Sequence, residues 1–229
     1  MAGHSKWATI KRQKGANDAK RGAIFTKIGN QIAIAARAGT DPEMNPSLAM
    51  VIEKARAANM PNANIQRAID RVKDKNAAQL EEIVYEGYGP GGAGLIIETA
   101  TDNRNRTLPE VKTALTKNGG RIADAGSVAF QFERKGVIRV NGSGEEMLME
   151  ILEAGADDAV EIEGEFIVYT EAKQLSSIRT KLKNVVEAGL EFVPHSTIEL
   201  DEEGETKLTK LLSALDELDD VVNVSHNAA

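Results

Sequence analysis

The sequence predicts an α+β protein in which an N-terminal three-helix domain is followed by two ferredoxin-like (βαββαβ-type) α/β domains, one inserted in the other. Three observations predict it. Apolar residues recur at helical spacing through about residue 78, a strand-helix-strand order recurs after that point, and the charge divides at the same place. Residues 1–78 carry a net +8 and the remaining 151 residues a net −15, within a chain total of −7.

The first helix covers Asp18 to Ala38, with Phe25, Ile28, Ile32 and Ala35 on one face, and stops before Gly39. Asn45 and Pro46 open the second as N-cap and first helical residue, and Leu48, Val51, Ile52 and Ala55 follow at helical spacing. Asn59 to Asn62 interrupt the pattern, and the third helix, Ala63 to Lys75, carries Ile65, Ala68, Ile69 and Val72. None of the three would be stable alone, so they share one small core.

From residue 79 the period shortens to that of strands. Ile83-Val-Tyr85 and Leu95-Ile-Ile-Glu98 flank a Gly/Pro cluster, a helix begins at Thr107 with Glu110 at capping-box spacing, Gly119-Gly120 ends it, and Ser127 to Phe132 reads as a strand. Residues 137–193 then give strands at Val137–Val140, Val160–Ile162, Phe166–Tyr169 and Leu190–Val193, with helices at Glu145–Ala154 and Leu175–Ala188. The tail adds strand Thr197–Leu200, a helix carrying Leu208, Leu211, Leu212, Leu215 and Leu218, and strand Val221–Val224. The expected domains are therefore a basic helical domain at 1–78, a discontinuous α/β domain at 79–134 plus 196–229, and an inserted α/β domain at 135–195.

Composition removes several classes of function. The chain has no cysteine, which excludes a disulfide framework, a thiol nucleophile and thiolate metal sites, and points to a reducing, cytoplasmic setting. No apolar run approaches the roughly 20 residues that cross a bilayer, so no membrane partner is expected. His4, His195 and His226 are scattered without metal-ligand spacing, and Asp201-Glu-Glu-Gly-Glu205 lacks the spacing of a calcium loop, so neither a metal nor a cofactor is expected. No Ser or Thr stands in a nucleophile motif, and the expectation is a protein without enzymatic activity or small-molecule substrate.

The basic head is the feature that points to a partner. Lys6, Lys11, Arg12, Lys14, Lys20, Arg21 and Lys27 face the single acid Asp18, and Trp7, the only tryptophan, lies among them. Clustered cations release counterions from a polyanion, and an indole offers a face to a base; Trp7 can equally dock on the helical core. A helix-turn-helix is a second possible use of the Asn59–Asn62 break, alongside an ordinary bundle turn. Thr101-Asp-Asn-Arg-Asn-Arg-Thr107 joins a strand end to a helix start, where Arg104 and Arg106 could meet a phosphate. The other reading is a capped turn with solvated arginines. Gly87, Gly89 and Gly92 satisfy a bare G-x-G-x-x-G spacing but lead into a strand rather than a helix, which removes the dinucleotide reading. A tight inter-strand loop remains, or a partner surface with Tyr85 or Tyr88 stacking.

Met1-Ala-Gly-His-Ser-Lys-Trp7, Tyr85-Glu-Gly-Tyr-Gly-Pro-Gly-Gly92 and Asp102-Asn-Arg-Asn-Arg-Thr107 together resemble the signatures of the YebC/PmpR family, whose mitochondrial relatives are translational activators. Asp18-Ala-Lys-Arg-Gly22, Ile24-Phe-Thr-Lys27 and Gly126-Ser-Val-Ala129 match as well, so the likeness covers nearly the whole chain. The resemblance implies a helical domain with two α/β domains and no enzymatic activity. It also implies one of two roles: a DNA-binding transcriptional regulator, or a ribosome-associated factor that assists translation, including through proline-rich stretches. Lys112 stands where relatives often have arginine, which keeps the charge and loses the fork. The family opening at Met1 favours a bacterial-type cytoplasmic protein without a transit peptide.

The expected function is thus a nucleic-acid-binding regulator of gene expression whose partner is DNA or ribosomal RNA, with the ribosome-associated translation factor as the alternative. The expected contacts are Lys6, Trp7, Lys11, Arg12, Lys14, Lys20, Arg21, Lys27, Arg104 and Arg106.

Overall fold

The structure, a computed structural model, describes residues 18–73 and 79–229. The described residues up to Phe132, together with Pro194–Ala229, form one compact unit, and Glu133–Val193 form another.

The first unit begins with three helices, α1 (Asp18–Ala35, extended by a 3-10 turn at Ala36–Ala38), α2 (Pro46–Ala57) and α3 (Asn62–Asp70, extended at Arg71–Lys73). Asn45 caps α2 by accepting from Leu48 N at 3.1 Å, while its amide donates to Ala35 O and Gly39 O, both at 2.8 Å. One buried side chain thus satisfies both the end of α1 and the start of α2. Ile28, Ile32, Leu48, Ile52, Ile65 and Ile69 fill the core between the helices, with Phe25, Val51 and Ala68 at its margin. Val72 differs from the periodic expectation and is exposed, because the 3-10 turn rotates it off the α3 stripe.

The first sheet has the order β3-β1-β2-β8 and is antiparallel throughout. β1 (Glu81–Tyr88) and β2 (Gly94–Thr101) form the central hairpin, and β3 (Arg121–Ala123) and β8 (Val221–His226) are its edges. Helices α4 (Arg104–Lys117) and α7 (Glu202–Asp216) press Val111, Leu115, Leu208, Leu211 and Leu215 onto Leu95 and Ile97. Burying each such side chain is worth about 1.5–3 kcal/mol.

The glycine run is the tight loop of that hairpin. Gly91 and Gly92 have φ of +68° and +83°, Gly89 N donates to Ala93 O at 2.7 Å, and no helix opens there for a dinucleotide. A Cβ on Gly91 would also collide with Leu200. Gly91→Ala is therefore expected to cost about 1–2 kcal/mol in urea unfolding, and an unchanged midpoint would refute the requirement for glycine.

The second unit runs β4 (Phe132–Asn141), α5 (Glu145–Glu153), β5 (Asp158–Ile162), β6 (Glu165–Glu171), α6 (Leu175–Lys181) and β7 (Val185–Pro194). Its sheet order, β5-β6-β4-β7, with this βαββαβ chain order is the ferredoxin-like arrangement. Register pairs Ile138 with Val168 and Val140 with Phe166, all buried, and the opposite face clusters Val137, Ile167, Tyr169 and Val193. The α+β class with a helical region and two four-stranded antiparallel sheets is therefore present.

Four local expectations differ from the structure. The helix expected from Thr107 begins at Arg104 with Asn103 as its cap, because the Thr107 hydroxyl turns inward to Asp220. Ser127–Phe132 is not a strand: Glu86, buried, accepts from Gly126 N, Val128 N and Ala129 N at 2.6, 2.6 and 2.8 Å and gathers the segment into a loop with a 3-10 turn. Burial works to raise the Glu86 carboxyl, and these three amides outweigh it and hold it below the usual range. Thr197–Leu200 makes one parallel bridge, Ile198 to Ala228, instead of a strand. The helix expected over Leu175–Ala188 stops at Lys181, where Asn184 at φ +56° reverses the chain and the β-branched pair Val185-Val186 starts β7. Among the described residues no helix is long and apolar enough to cross a membrane.

Candidate nucleic-acid interface

The segment Thr101–Thr107 is built around a carboxylate more than a hundred residues away in the chain. Asp220, 5% exposed, lies at the turn between α7 and β8 and receives the end of β2 and the start of α4 together. Thr101 Oγ1 donates to its Oδ2 at 3.0 Å, the Thr107 hydroxyl lies 2.6 Å from the same oxygen, and Arg106 Nη2 reaches Oδ1 and Oδ2 at 3.0 and 2.9 Å. Its backbone oxygen accepts from Ala100 N at 2.8 Å. Burial pushes the Asp220 carboxyl up, but the bonds from Thr107, Arg106 and Thr101 outweigh it and hold the group below the ordinary carboxylate range. Asp220, in turn, is the largest cause raising the Arg106 guanidinium, with Asp102 adding to it at 3.2 Å.

The amides at the helix start are already used. Asn103 Oδ1 accepts from Asn105 N at 3.1 Å and Arg106 N at 3.2 Å, which is the capped-turn geometry. Arg104 leaves the same start 68% exposed, 3.6 Å from Glu81. Exposed pairs of this kind contribute little and separate readily, so the Arg104 fork can turn to a stronger anion.

Across the same unit, α1 and α3 bring a second set of polar groups to this region. Lys27 Nζ donates to the Asp216 backbone oxygen and lies 3.1 Å from Asp216 Oδ1, and its side chain is 11% exposed. Asn30 donates to Ala100 O at 3.4 Å and accepts from Arg71 Nη1 at 3.4 Å, and Arg71 Nη2 stands 3.7 Å from Asp102. Between them is a cleft of about 500 Å³ lined by Asn30, Arg71, Asp102, Arg106, Glu110 and Asp219 among others. The structure thus gathers Lys27 and Arg106 near one cleft and sets each against an acid. Arg104 faces Glu81 at the other side of the loop.

Lys6, Trp7, Lys11, Arg12 and Lys14 lie outside the described residues, and so do the side chains of Lys20 and Arg21, whose backbones belong to α1. Asn30, Arg71, Asp216 and Asp220 were missed by sequence reasoning, since each owes its place to a distant partner and none belongs to a local motif. Tyr85 packs at the margin of the sheet core, and Tyr88 donates to Ser127 O at 3.1 Å with Arg121 4.9 Å from its ring centre. Asp201 is a helix cap that accepts from Gly204 N at 2.7 Å. Among the described residues no group of three or more His, Asp or Glu side chains could hold a metal ion.

Comparison with known proteins covers the whole described chain. Residues 80–228 match the family model described as TACO1/YebC second and third domain, and residues 5–75 match the TACO1/YebC protein N-terminal domain. A probable transcriptional regulatory protein of Rubrobacter xylanophilus is 48% identical over 238 residues, covering 99% of this chain and 95% of the relative. One of the same description from Finegoldia magna is 44% identical, covering 99% of this chain and 98% of the relative. The crystal structure of a conserved hypothetical protein from Aquifex aeolicus matches with a TM-score of 0.91 at 42% identity, covering 98% of this chain and 97% of the other.

Proposed function

Because the chain belongs to the TACO1/YebC family, we propose that it is a non-enzymatic, nucleic-acid-binding regulator of gene expression acting in the cytoplasm. The observation that carries this reading is the charge division: +8 on residues 1–78 against −15 on the rest. A field concentrated at one end attracts phosphate backbones while the acidic remainder repels them, which limits how much of the surface a polyanion can cover. The names of the relatives, probable transcriptional regulatory proteins, support DNA as the partner. In this reading the N-terminal residues 1–78 act as the binding domain, Lys6, Lys11, Arg12, Lys14, Lys20 and Arg21 neutralise phosphates, Trp7 stacks, and Arg104 makes a second contact. Lys27 and Arg106 hold the site together through Asp216 and Asp220.

The test is sedimentation of the purified chain with ribosomes at physiological salt, with excess duplex DNA as competitor. Retention on the DNA is the expected result. Co-migration with the large subunit despite the competitor would replace transcription with translation as the process regulated. Binding to neither would overturn the nucleic-acid reading.

A further inference from the structure

The second unit leaves one long strand uncovered. β7 (Val185–Pro194) stands at the end of its sheet, so one of its two sides has no neighbouring strand in that sheet. Helix α6 ends at Lys181 after seven residues and cannot extend over the strand that follows. Arg139 Nη1 meets Glu187 at 3.4 Å and Arg134 lies 5.3 Å from the centre of the Phe192 ring, contacts that fix the alternation along β7. With a period of two, Val186, Ala188, Leu190 and Phe192 share the face opposite Glu187. Val186 is 41% and Leu190 38% exposed, so the strand shows a β-branched and a leucine side chain to solvent two positions either side of Ala188. Soluble proteins normally guard a long edge with lysine, proline or a bulge, because its unpaired backbone groups invite another strand.

We propose that β7 is the pairing edge for a second copy of this chain, joined antiparallel about a twofold axis through Ala188. The sequence of the strand selects this occupant and this register. Residues facing each other across such a pair must lie on the same face of the joined sheet. With Ala188 opposite its own copy, Val186 faces Leu190 twice, Glu187 faces Gly189 and Glu191 faces Val185. Moving the axis one residue toward Glu187 sets Glu187 against Glu187, and moving it one residue toward Gly189 sets Glu187 against Glu191. Like charges directly opposite destabilise a sheet, whereas apolar pairs stabilise it, so only the Ala188 register is self-complementary among those that keep most of the strand paired. The interface is isologous and closes at two copies. Its acidic face would carry no new charge conflict, and it does not depend on the nucleic-acid reading.

The absence of cysteine makes the test clean. Ala188→Cys places one thiol on the axis, opposite itself. Mild oxidation of the full chain is expected to give a disulfide-linked dimer at least about tenfold faster from Ala188→Cys than from Glu187→Cys, Gly189→Cys or an exposed control on α4, Thr113→Cys, the gap that about 1.4 kcal/mol of pairing preference yields. Sedimentation equilibrium of the unmodified chain is expected to show a monomer-dimer equilibrium. Leu190→Lys should weaken that equilibrium by about tenfold or more while leaving the far-ultraviolet circular dichroism unchanged. A strictly monomeric chain whose Ala188→Cys variant cross-links no faster than Thr113→Cys overturns the proposal. Fastest cross-linking at Glu187→Cys or Gly189→Cys overturns the register.

Discussion

Asp220→Ala is expected to lower the stability of the first unit by about 3–4 kcal/mol, the largest loss from any single substitution outside the apolar core. Removing the carboxylate leaves the buried hydroxyls of Thr101 and Thr107, 0% and 1% exposed as residues, short of their acceptor. It also leaves Arg106 with Asp102 alone, and because the Arg106 side chain is 46% exposed, water recovers part of that loss. The pH dependence has a definite sign. The folded pKa of Asp220 is depressed, so its contribution is complete above the unfolded value of about 3.9 and disappears as pH falls through the lower folded value. Urea unfolding of Asp220→Ala at neutral pH, and acid titration of Asp220→Asn, measure the two effects. A loss below about 1 kcal/mol in the first, or an unaltered acid limb in the second, would mean that Arg106 and the threonines find water in place of the carboxylate.

That network also shows where reading the sequence stops. Helices α1 to α3 were legible because Ile28, Ile32, Leu48, Ile52, Ile65 and Ile69 repeat at the helical period and are buried together. The hairpin loop was legible because Gly91 and Gly92 need a left-handed backbone. The start of α4 was placed three residues late, since Thr107 and Glu110 imitate a capping box while Thr107 serves Asp220, a partner 113 residues along the chain. No local pattern announces such a partner. Glu86 had the same effect on Ser127–Phe132: forty residues away, one buried carboxylate drew Gly126 N to itself and overrode the strand propensity of Val128 and Phe130. The end of α6 was lost to a competition of propensities, in which Leu182 and the later Val185, Val186 and Ala188 continue a helical stripe, but Asn184 takes φ +56° and the valines prefer the pleat. The candidate contacts followed the same rule. Cations could be counted in the sequence, yet which of them are bound to acids depended on Asp216, Asp220 and Glu81, none of them a near neighbour in the chain.

This division among the cations leads to the second large effect. Neutralising Lys11, Arg12 and Lys14 together, each to Gln, is expected to weaken binding to duplex DNA by roughly two to three orders of magnitude near 0.1 M salt. The logarithmic salt dependence should flatten by about 2.7, near 0.9 for each lost phosphate contact. Lys27→Gln should behave differently although it removes the same formal charge from the same basic head. Its amine is 11% exposed and bound to Asp216, so its release of counterions on binding is already spent within the fold. The salt slope should therefore stay within about 0.3 of the parent value, while thermal stability falls through the lost contact to the Asp216 backbone. Fluorescence anisotropy with a labelled duplex across a series of salt concentrations separates the two. If the triple variant keeps the parent slope, the basic head is not the binding element. If Lys27→Gln flattens it by a full contact, the pair with Asp216 opens on binding and the acid is a competitor that the phosphate displaces.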